Sequence, residues 1–422
     1  MLASVRFEPF PLLLHAAWAL PVLAGCAFWF FWLGAAALIQ RRLPEIGDLE
    51  APPPGAWPRV SVIAPAKDEI GTLEAATRAR LADGYPNLQA VLVDDRSTDG
   101  TGALVDRLAD ADPRVVACHV RELPEGWLGK NHALQVGTAA ATGEWLLFTD
   151  ADVHFAPDTL RRVVAWAEAE GADFVCVMPG VPVRGFLLTA LIVTFSRMFS
   201  LSQRLWAVAD PHSDAFVGVG AFNLVRRRAY ERTPGWEALR LDVADDVALG
   251  KLMKESGAAC RVLRGIEHVT VEWYTSLGAL AHGFEKNSFV MLGGRLRRVI
   301  LAVAVVTWCE LAPWIAVIAG LVVGGPLVWL AVVGGLALLA GLAANTGMAV
   351  KGRMAWLPAV CSPVGTALFA WVLLRAGWIG RRAGAVTWRG TSYPLELLRE
   401  NQFLLRKPGD KRAGPPSMSC PR

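Results

Sequence analysis

Residues 146–160, LLFTDADVHFAPDTL, contain the end of an apolar run, two closely spaced carboxylates and the start of a helical pattern. The apolar run predicts a buried strand over residues 144–149, and Asp150 and Asp152 follow with one residue between them. Carboxylates at the mouth of a buried sheet are costly unless a positive group or hydrogen bonds compensate them. The stretch therefore predicts a strand that leads directly into a binding site.

Strand and helix patterns alternate on both sides of this stretch. Strands are predicted at residues 59–66, 88–95, 114–120, 144–149 and 173–178, with helical patterns that end near residue 81 and cover residues 97–111, 130–141 and 157–170. The last helix is predicted to open at Pro157. This alternation is typical of an α/β fold with a mostly parallel sheet covered on both faces. Ligands of such sheets bind beyond the carboxyl ends of the strands.

The composition indicates an integral membrane protein. Of the 422 residues, 54% are hydrophobic and the mean hydropathy is +0.37, whereas soluble domains are about 45–50% apolar. Four stretches reach the roughly 20 residues that cross a bilayer, namely residues 11–39, 299–320, 321–344 and 357–379. One N-terminal and two to three C-terminal transmembrane helices are therefore predicted.

Charge predicts the orientation in the membrane. Arg41 and Arg42 follow the first apolar stretch, so the positive-inside rule places the next residues in the cytoplasm, most simply at the plasma (inner) membrane. A cleaved signal peptide is the alternative, but its first region would be more basic and its apolar run shorter. Three C-terminal spans would leave Arg381 and Arg382 outside, against the rule. Either one span is re-entrant or the chain tolerates the violation.

The chain is predicted to divide at changes of composition. The segments are an N-terminal anchor and linker (1–58), a cytoplasmic catalytic domain (59–298), C-terminal transmembrane helices (299–380) and a partly disordered tail (381–422). Within the second segment, residues 185–206 are apolar but contain Arg197 and Arg204. That pattern favours an interfacial helix, and a buried helix of the domain is the alternative.

Two features exclude other classes of protein. The net charge of +4 is modest and scattered, whereas nucleic-acid-binding proteins concentrate basic residues on one face. No nucleic-acid partner is therefore expected. The seven cysteines show no paired spacing, so we expect reduced thiols and neither a zinc site nor a disulfide framework.

Acidic pairs stand at the ends of two predicted strands. Asp94 and Asp95 end the second, and Asp150 and Asp152 follow the fourth. A single acid at such a place commonly caps the next helix, which suits Asp99. Capping does not easily explain two carboxylates at two separate strand ends. We predict a divalent metal site of oxygen ligands that phosphate oxygens complete.

Five motifs, in order, resemble family 2 glycosyltransferases of the GT-A fold. They are VSVIAPAKDE from residue 60, VLVDDRSTDGT from residue 91, GWLGKNHAL from residue 126, FTDAD from residue 148 and DDVALG from residue 245. The likeness covers residues 60–287 and is greatest to membrane-bound members that glycosylate ceramides, carotenoid acids and other lipids. It implies transfer of a sugar from a nucleotide donor, usually a UDP-sugar, with Mn²⁺ or Mg²⁺ and inversion at the anomeric carbon.

The resemblance also implies roles for single residues. Those on the nucleotide side are Pro65, Ala66, Glu69, Asp94, Asp95, Lys130 and Asp150. Asp150 and Asp152 match the metal motif, and Asp246 matches the catalytic base, with Asp245 where the family more often has Glu. The alternatives are a surface lysine for Lys130 and acids that favour a helix N-terminus for Asp245 and Asp246.

The chemistry of sugar transfer independently requires a metal-binding carboxylate and a carboxylate base. A leaving nucleoside diphosphate gains negative charge, which a carboxylate-bound metal stabilises as a Lewis acid. A second carboxylate must take the proton of the acceptor hydroxyl. Inversion follows from in-line attack with one base and no enzyme nucleophile.

One departure from the family favours a single transfer to a lipid. Processive polysaccharide synthases carry a Q-x-x-R-W motif after the acidic pair, and residues 272–289, EWYTSLGALAHGFEKNSF, stand in its place. A processive synthase remains one alternative. A membrane transporter with a nucleotide-binding domain is another, although transporters place polar groups within their spans and only Glu310 lies clearly in one here. A sugar-nucleotide-binding module without catalysis is the third.

Overall fold

A computed structural model describes residues 9–388 and 391–406 of the chain. The α-helices are α1 (Pro9–Arg42), α2 (Leu73–Leu81), α3 (Thr101–Ala111), α4 (Gly129–Ala140), α5 (Thr159–Ala169), α6 (Phe186–Ser202), α7 (Arg227–Tyr230), α8 (Asp245–Glu255), α9 (Leu277–Met291), α10 (Leu296–Val323), α11 (Val328–Lys351), α12 (Trp356–Val360), α13 (Ser362–Ala383) and α14 (Leu395–Asn401). The strands are β1 (Val60–Ala66), β2 (Leu88–Asp95), β3 (Val115–Val120), β4 (Trp145–Phe148), β5 (His154–Phe155), β6 (Phe174–Gly180), β7 (Asn223–Arg226), β8 (Cys260–Thr270), β9 (Ala385–Trp388) and β10 (Thr391–Pro394).

Eight strands form one mostly parallel sheet, in the order β3-β2-β1-β4-β7-β6-β8-β5. The strands β7 and β5 run antiparallel to their neighbours, and the other pairings are parallel. The predicted α/β class with a mostly parallel sheet is confirmed. The five predicted strands correspond to β1, β2, β3, β4 and β6. The helix predicted to open at Pro157 begins at Thr159, because Asp158 before it has a left-handed φ of 62°.

The chain divides into two compact units. We call residues 42–183, 202–295 and 376–422 the sheet unit, and residues 1–41, 184–201 and 296–375 the helical unit. The predicted tail after Pro408 falls outside the described residues. The six cysteines within the described residues are all free thiols.

The core of the sheet unit explains the continuous apolar runs of its central strands. Every residue of β1 and β2 is buried, because helices cover both faces of a parallel sheet. Trp145, Phe222 and Leu224 pack with Val62 in one cluster on the sheet. The antiparallel strand β7 lies beside β4, so the residues that precede β7 reach the same edge of the sheet as the residues that follow β4.

The helical unit consists of helices with exposed apolar side chains. Within the described residues, five helices are long and apolar enough to cross a membrane: Trp18–Arg42, Phe186–Ala207, Leu296–Val323, Val328–Lys351 and Ser362–Ala383. The four predicted stretches overlap four of them, and only residues 299–320 lie wholly within one. The predicted boundary at residue 321 is wrong, since α10 continues to Val323 and the turn contains Gly324 and Gly325, both with positive φ. An unbroken apolar run does not by itself mark such a turn.

A buried polar cluster lies inside the helical unit. The guanidinium of Arg197 in α6 is 3.6 Å from Glu310 in α10. It donates to the hydroxyls of Ser362 and Thr366, and both hydroxyls donate to Glu310. Arg197, the first arginine inside the apolar run of α6, is therefore compensated by charge and hydrogen bonds, as a buried guanidinium requires.

Candidate active site

The candidate site lies at the carboxyl edge of the sheet. There β1 leads to Glu69, β2 ends with Asp95, and β4 leads to Asp150. Gly220 reaches this edge before β7, and its carbonyl accepts a hydrogen bond from the N–H of Asp150 at 2.8 Å. The helix α8 begins with Asp245. The fold thus brings together acids that are far apart in the sequence.

Lys130 joins the two acidic motifs. Its ammonium nitrogen lies 2.7 Å from Oδ1 of Asp150 and 3.0 Å from Oδ2 of Asp245. The side chains of Lys130 and Asp245 are mostly buried, whereas that of Asp150 is 40% exposed. Charge-assisted bonds of this kind are stronger than neutral ones, because both partners are ionised. The bridge holds the residues after β4 against the first turn of α8.

Asp246 is oriented by the backbone. Its Oδ2 accepts the N–H of Gly220 at 2.7 Å, and its Oδ1 accepts the N–H of Val247 at 2.8 Å. Residues 218–220 can approach this closely because two of them are glycines. A Cβ on Gly218 would overlap the carbonyl of Asp246, and one on Gly220 would overlap the carboxylate of Asp150.

Burial and crowding change the acidity of this cluster. Burial, and then the charge of Asp245, raises the pKa of Asp246 to about 7. Burial also raises the pKa of Asp245, although the ammonium of Lys130 opposes that shift. For Lys130 itself burial lowers the pKa, but Asp150, Asp245 and Asp246 together raise it above its ordinary value. Lys130 therefore stays charged, and Asp246 can exchange a proton near neutral pH.

The residues present fit a divalent cation that takes only part of its shell from protein. Burial, and then the charges of Asp150 and Glu69, raises the pKa of Asp152 to about 6. Across residues 9–388 and 391–406, no group of three or more metal-binding side chains is assembled. Mg²⁺ commonly uses one or two carboxylates with waters and substrate phosphates, and Asp150 and Asp152 supply hard oxygen ligands of that type.

The other residues predicted to bind the nucleotide make hydrogen bonds or ion pairs within the protein, or are buried in a strand. Asp94 accepts the N–H of Ser97, Asp95 pairs with Arg96 at 2.7 Å, and Glu69 accepts the hydroxyl of Thr72. Pro65 and Ala66, assigned to the nucleotide side, are the last two residues of β1 and are buried, in agreement with the strand predicted over residues 59–66. Asp99 accepts the N–H of Thr101 and so satisfies the first turn of α3, as expected.

Two supporting residues were missed by sequence reasoning. The buried guanidinium of Arg80 in α2 donates to the carbonyls of Ala151 and Val153, on either side of Asp152. The amide of Asn131, next to Lys130, donates to the carbonyls of Leu239 and Asp242, in the loop before α8. Asn131 lies inside the GKNHAL motif and could have been flagged. Nothing in the sequence distinguishes Arg80 from the exposed Arg78 except the helical period.

A cavity elsewhere in the sheet unit is separate from this cluster. It has a volume of about 570 Å³ and is lined by Trp166 in α5, Glu170 just after that helix and Arg261 at the start of β8. The strand β8 runs parallel to β6, so its start lies at the opposite edge of the sheet. This cavity is not part of the predicted site.

Comparison with known proteins identifies relatives of part of the chain. Residues 61–233 match the family described as glycosyl transferase family 2. The beta-monoglucosyldiacylglycerol synthase of Synechocystis sp. is 30% identical over 168 residues, which are 36% of this chain and 35% of that protein. The polyprenol monophosphomannose synthase of Mycolicibacterium smegmatis is 30% identical over 195 residues, 45% of this chain and 65% of that protein.

One solved structure matches most of the chain's length at low identity. It is a mannosyltransferase from Pyrobaculum calidifontis in complex with GDP-Man and Mn²⁺, with a TM-score of 0.48 and 21% identity. The match covers 86% of this chain and 99% of that one.

We predict that Arg80 holds the loop that carries Asp152. Arg80→Met removes two hydrogen bonds from a charged donor, so the free energy of unfolding should fall by about 2–4 kcal/mol. Amide hydrogen exchange of residues 151–153 should accelerate. The control is Arg78→Met on the same helix, where the lost pair with Glu74 is exposed and worth at most about 1 kcal/mol. Equal stability and exchange in the two variants would show that Arg80 does not hold the loop.

Proposed function

Since residues 61–233 are a glycosyl transferase family 2 domain, we propose that this chain transfers one sugar from a UDP-sugar to a membrane lipid, with a divalent metal and inversion at the anomeric carbon. The observation that carries the proposal is the contact of Lys130 with both Asp150 and Asp245. That contact joins Asp150, which is assigned to binding of the donor, with Asp245, which is assigned to the acceptor side. A direct displacement requires that the donor and the acceptor are held on opposite sides of the reacting carbon.

The donor side of the proposal rests on Asp150, Asp152 and Lys130. A divalent cation bound by Asp150 and Asp152 would stabilise the negative charge that develops on the leaving nucleoside diphosphate. Lys130 keeps its positive charge and orients Asp150 through one carboxylate oxygen. The UDP identity of the donor rests on the resemblance to the family, whose members usually use it. Pro65, Ala66, Glu69, Asp94 and Asp95 are proposed to line the nucleotide pocket.

The acceptor side rests on Asp246. Its two backbone hydrogen bonds fix the carboxylate, and its pKa of about 7 suits a general base at neutral pH. We assign it the proton of the acceptor hydroxyl. The hydroxyl oxygen then bonds to the anomeric carbon from the side opposite the leaving phosphate, which inverts the configuration. Asp245, bound to Lys130, is assigned an orienting role.

A single lipid product is supported by the segment that replaces the synthase motif. Trp273, Tyr274 and Phe284 pack against one another in residues 272–289. Burial, and then the charge of Asp150, raises the pKa of Tyr274 to about 12, so this aromatic cluster lies near the carboxylates. Two relatives are named for products on diacylglycerol and on polyprenol monophosphate. An apolar aromatic surface suits such acceptors.

We also propose that the sheet unit lies in the cytoplasm, with Arg41 and Arg42 on that side. The helix α6 is then interfacial, because the strands β6 and β7 that flank it are hydrogen-bonded in one sheet and a full crossing would separate them. The residues after α13 hydrogen-bond Asp242 and Lys251 of the sheet unit. The C-terminal segment therefore shares its side, and one of the three C-terminal helices does not cross.

Binding of the donor nucleotide should depend on a divalent metal and on Asp152. Asp152→Asn removes one anionic ligand, so we expect Mn²⁺-dependent UDP binding to weaken by at least about tenfold. Removal of the metal by a chelator should weaken UDP binding by the parent protein to the same extent. Asp110→Asn, an exposed acid in α3, is the control and should bind like the parent. Calorimetric titration measures both. Undiminished binding by Asp152→Asn would remove the metal assignment.

Turnover should depend on Asp246 in its ionised form. Asp246→Asn keeps the size of the side chain but accepts no proton, and a general base is worth about 10²–10⁴ in rate. Donor affinity should hardly change. The pKa of about 7 means that activity falls as pH drops through 7, and the variant should lack this limb. Asp245→Asn should lose less. Turnover of Asp246→Asn within a few fold of the parent would make Asp245 the next candidate for the base.

The product should be a lipid that carries one sugar. Purified chain in vesicles made from cell lipids, supplied with UDP-sugars and Mn²⁺, should convert a lipid to a species heavier by a single sugar, as measured by mass spectrometry. The Asp246→Asn protein is the control for background. A ladder of products with many sugars would contradict the single transfer. Transport of the sugar nucleotide without any product would favour the transporter alternative.

A further inference from the structure

The C-terminal segment after the last long helix is folded onto the sheet unit. Residues 385–406, which we call the C-terminal strap, comprise β9, β10, α14 and a short turn at Phe403–Leu405. The sequence alone had given this part of the chain no role beyond a tail. Within the sheet unit its buried contacts concentrate on the helix α8 and on the loop that precedes it.

The strap holds the loop just before the catalytic acids. The buried side chain of Gln402 donates to the carbonyl of Leu241, and it accepts the N–H of Val243 at 3.4 Å. The carboxylate of Asp242 accepts the N–H groups of Phe403 and Leu404 at 2.9 and 3.0 Å. Every residue from 241 to 243 is therefore tied to the strap. Asp245 follows two residues later.

A second anchor lies within α8 itself. The ammonium of Lys251, almost fully buried, donates to the carbonyls of Phe403, Leu404 and Arg406 at 3.1, 3.1 and 2.6 Å. Lys251 is less than two helical turns after Asp245. A buried ammonium and a buried carboxylate lose much of their compensation if the strap leaves, so the strap and α8 form a cooperative contact.

The other end of the strap reaches the opposite side of the site. Tyr393 in β10 is buried, and burial raises its pKa. The charges of Arg96 and Asp95 and the backbone of Gly129 also act on that pKa. Asp95 belongs to the proposed nucleotide pocket, and Gly129 precedes Lys130. One short segment thus lies near both halves of the proposed site.

We propose that the C-terminal strap is a positioning element of the active site, which fixes residues 241–243 and thereby orients Asp245 and Asp246 against Lys130. The inference rests on the proposed function, since it gives Asp246 the role of base. We assign Gln402, Asp242 and Lys251 a positioning role, which acts through Asp245 and Asp246. Misplacement of a reacting group by about 1 Å can cost about a hundredfold in rate, so loosening this loop should act on turnover.

The test is Gln402→Leu in the full-length protein. Leucine keeps the volume of the side chain but makes neither hydrogen bond. We expect kcat to fall by about tenfold to a hundredfold, with the donor KM within about twofold of the parent. Hydrogen exchange of residues 239–250 should accelerate. The control is Glu400→Gln, an exposed change in the same segment, which should alter none of these. Unchanged kcat or unchanged exchange in Gln402→Leu would overturn the inference.

A double-variant cycle separates positioning from general damage. If Gln402 acts through Asp246, then adding Gln402→Leu to Asp246→Asn should cost much less than it costs the parent, because coupled residues are not additive. Equal fold losses on both backgrounds would overturn the inference, since the strap would then act elsewhere. Parental turnover of Asp246→Asn alone would contradict the proposed function, while the hydrogen-exchange result would still decide whether the strap holds the loop.

Discussion

The buried ammonium of Lys130 is the interaction on which the candidate site depends. It contacts Asp150 and Asp245 at once, and the charges of Lys130 and Asp245 would be costly to bury without a partner. The contact requires that α4, the end of β4 and the start of α8 meet at one point. The order of the sheet satisfies this requirement. The strand β4 lies between β1 and β7, so the carboxyl end of β4 meets the start of β7 at one edge of the sheet. The order of the strands and the placement of these three charges therefore depend on each other.

Around this bridge the backbone, more than the side chains, places the acids. Asp246 is held by two N–H groups, Asp152 lies in a loop whose carbonyls bind Arg80, and the loop before Asp245 is held by Asn131 and by the C-terminal strap. Backbone partners leave the carboxylate oxygens in defined directions. Such preorganisation is what makes charged groups effective in a reaction, since they need not reorient as charge develops.

The sequence predicted this site in part, and the misses have physical causes. Asp150 and Asp152 were named because acids at a strand end leave a local pattern, and the resemblance to family 2 glycosyltransferases named Lys130, Asp245 and Asp246. Pro65 and Ala66 end β1, as the strand predicted over residues 59–66 implied. Arg80 was not named, because the pairing of a buried arginine with two distant carbonyls has no local signature.

The sequence by itself determined the alternation of strands and helices, the membrane-spanning length of the apolar stretches and the chemical types of the candidate residues. Each of these depends on hydrophobic period or on neighbouring residues. Only the tertiary structure decided that β7 runs antiparallel and that the segment after α13 folds onto α8. It also decided that Lys130 contacts both Asp150 and Asp245, which are 95 residues apart in the chain. These outcomes depend on contacts between distant residues, whose free energy arises only when the whole sheet has formed.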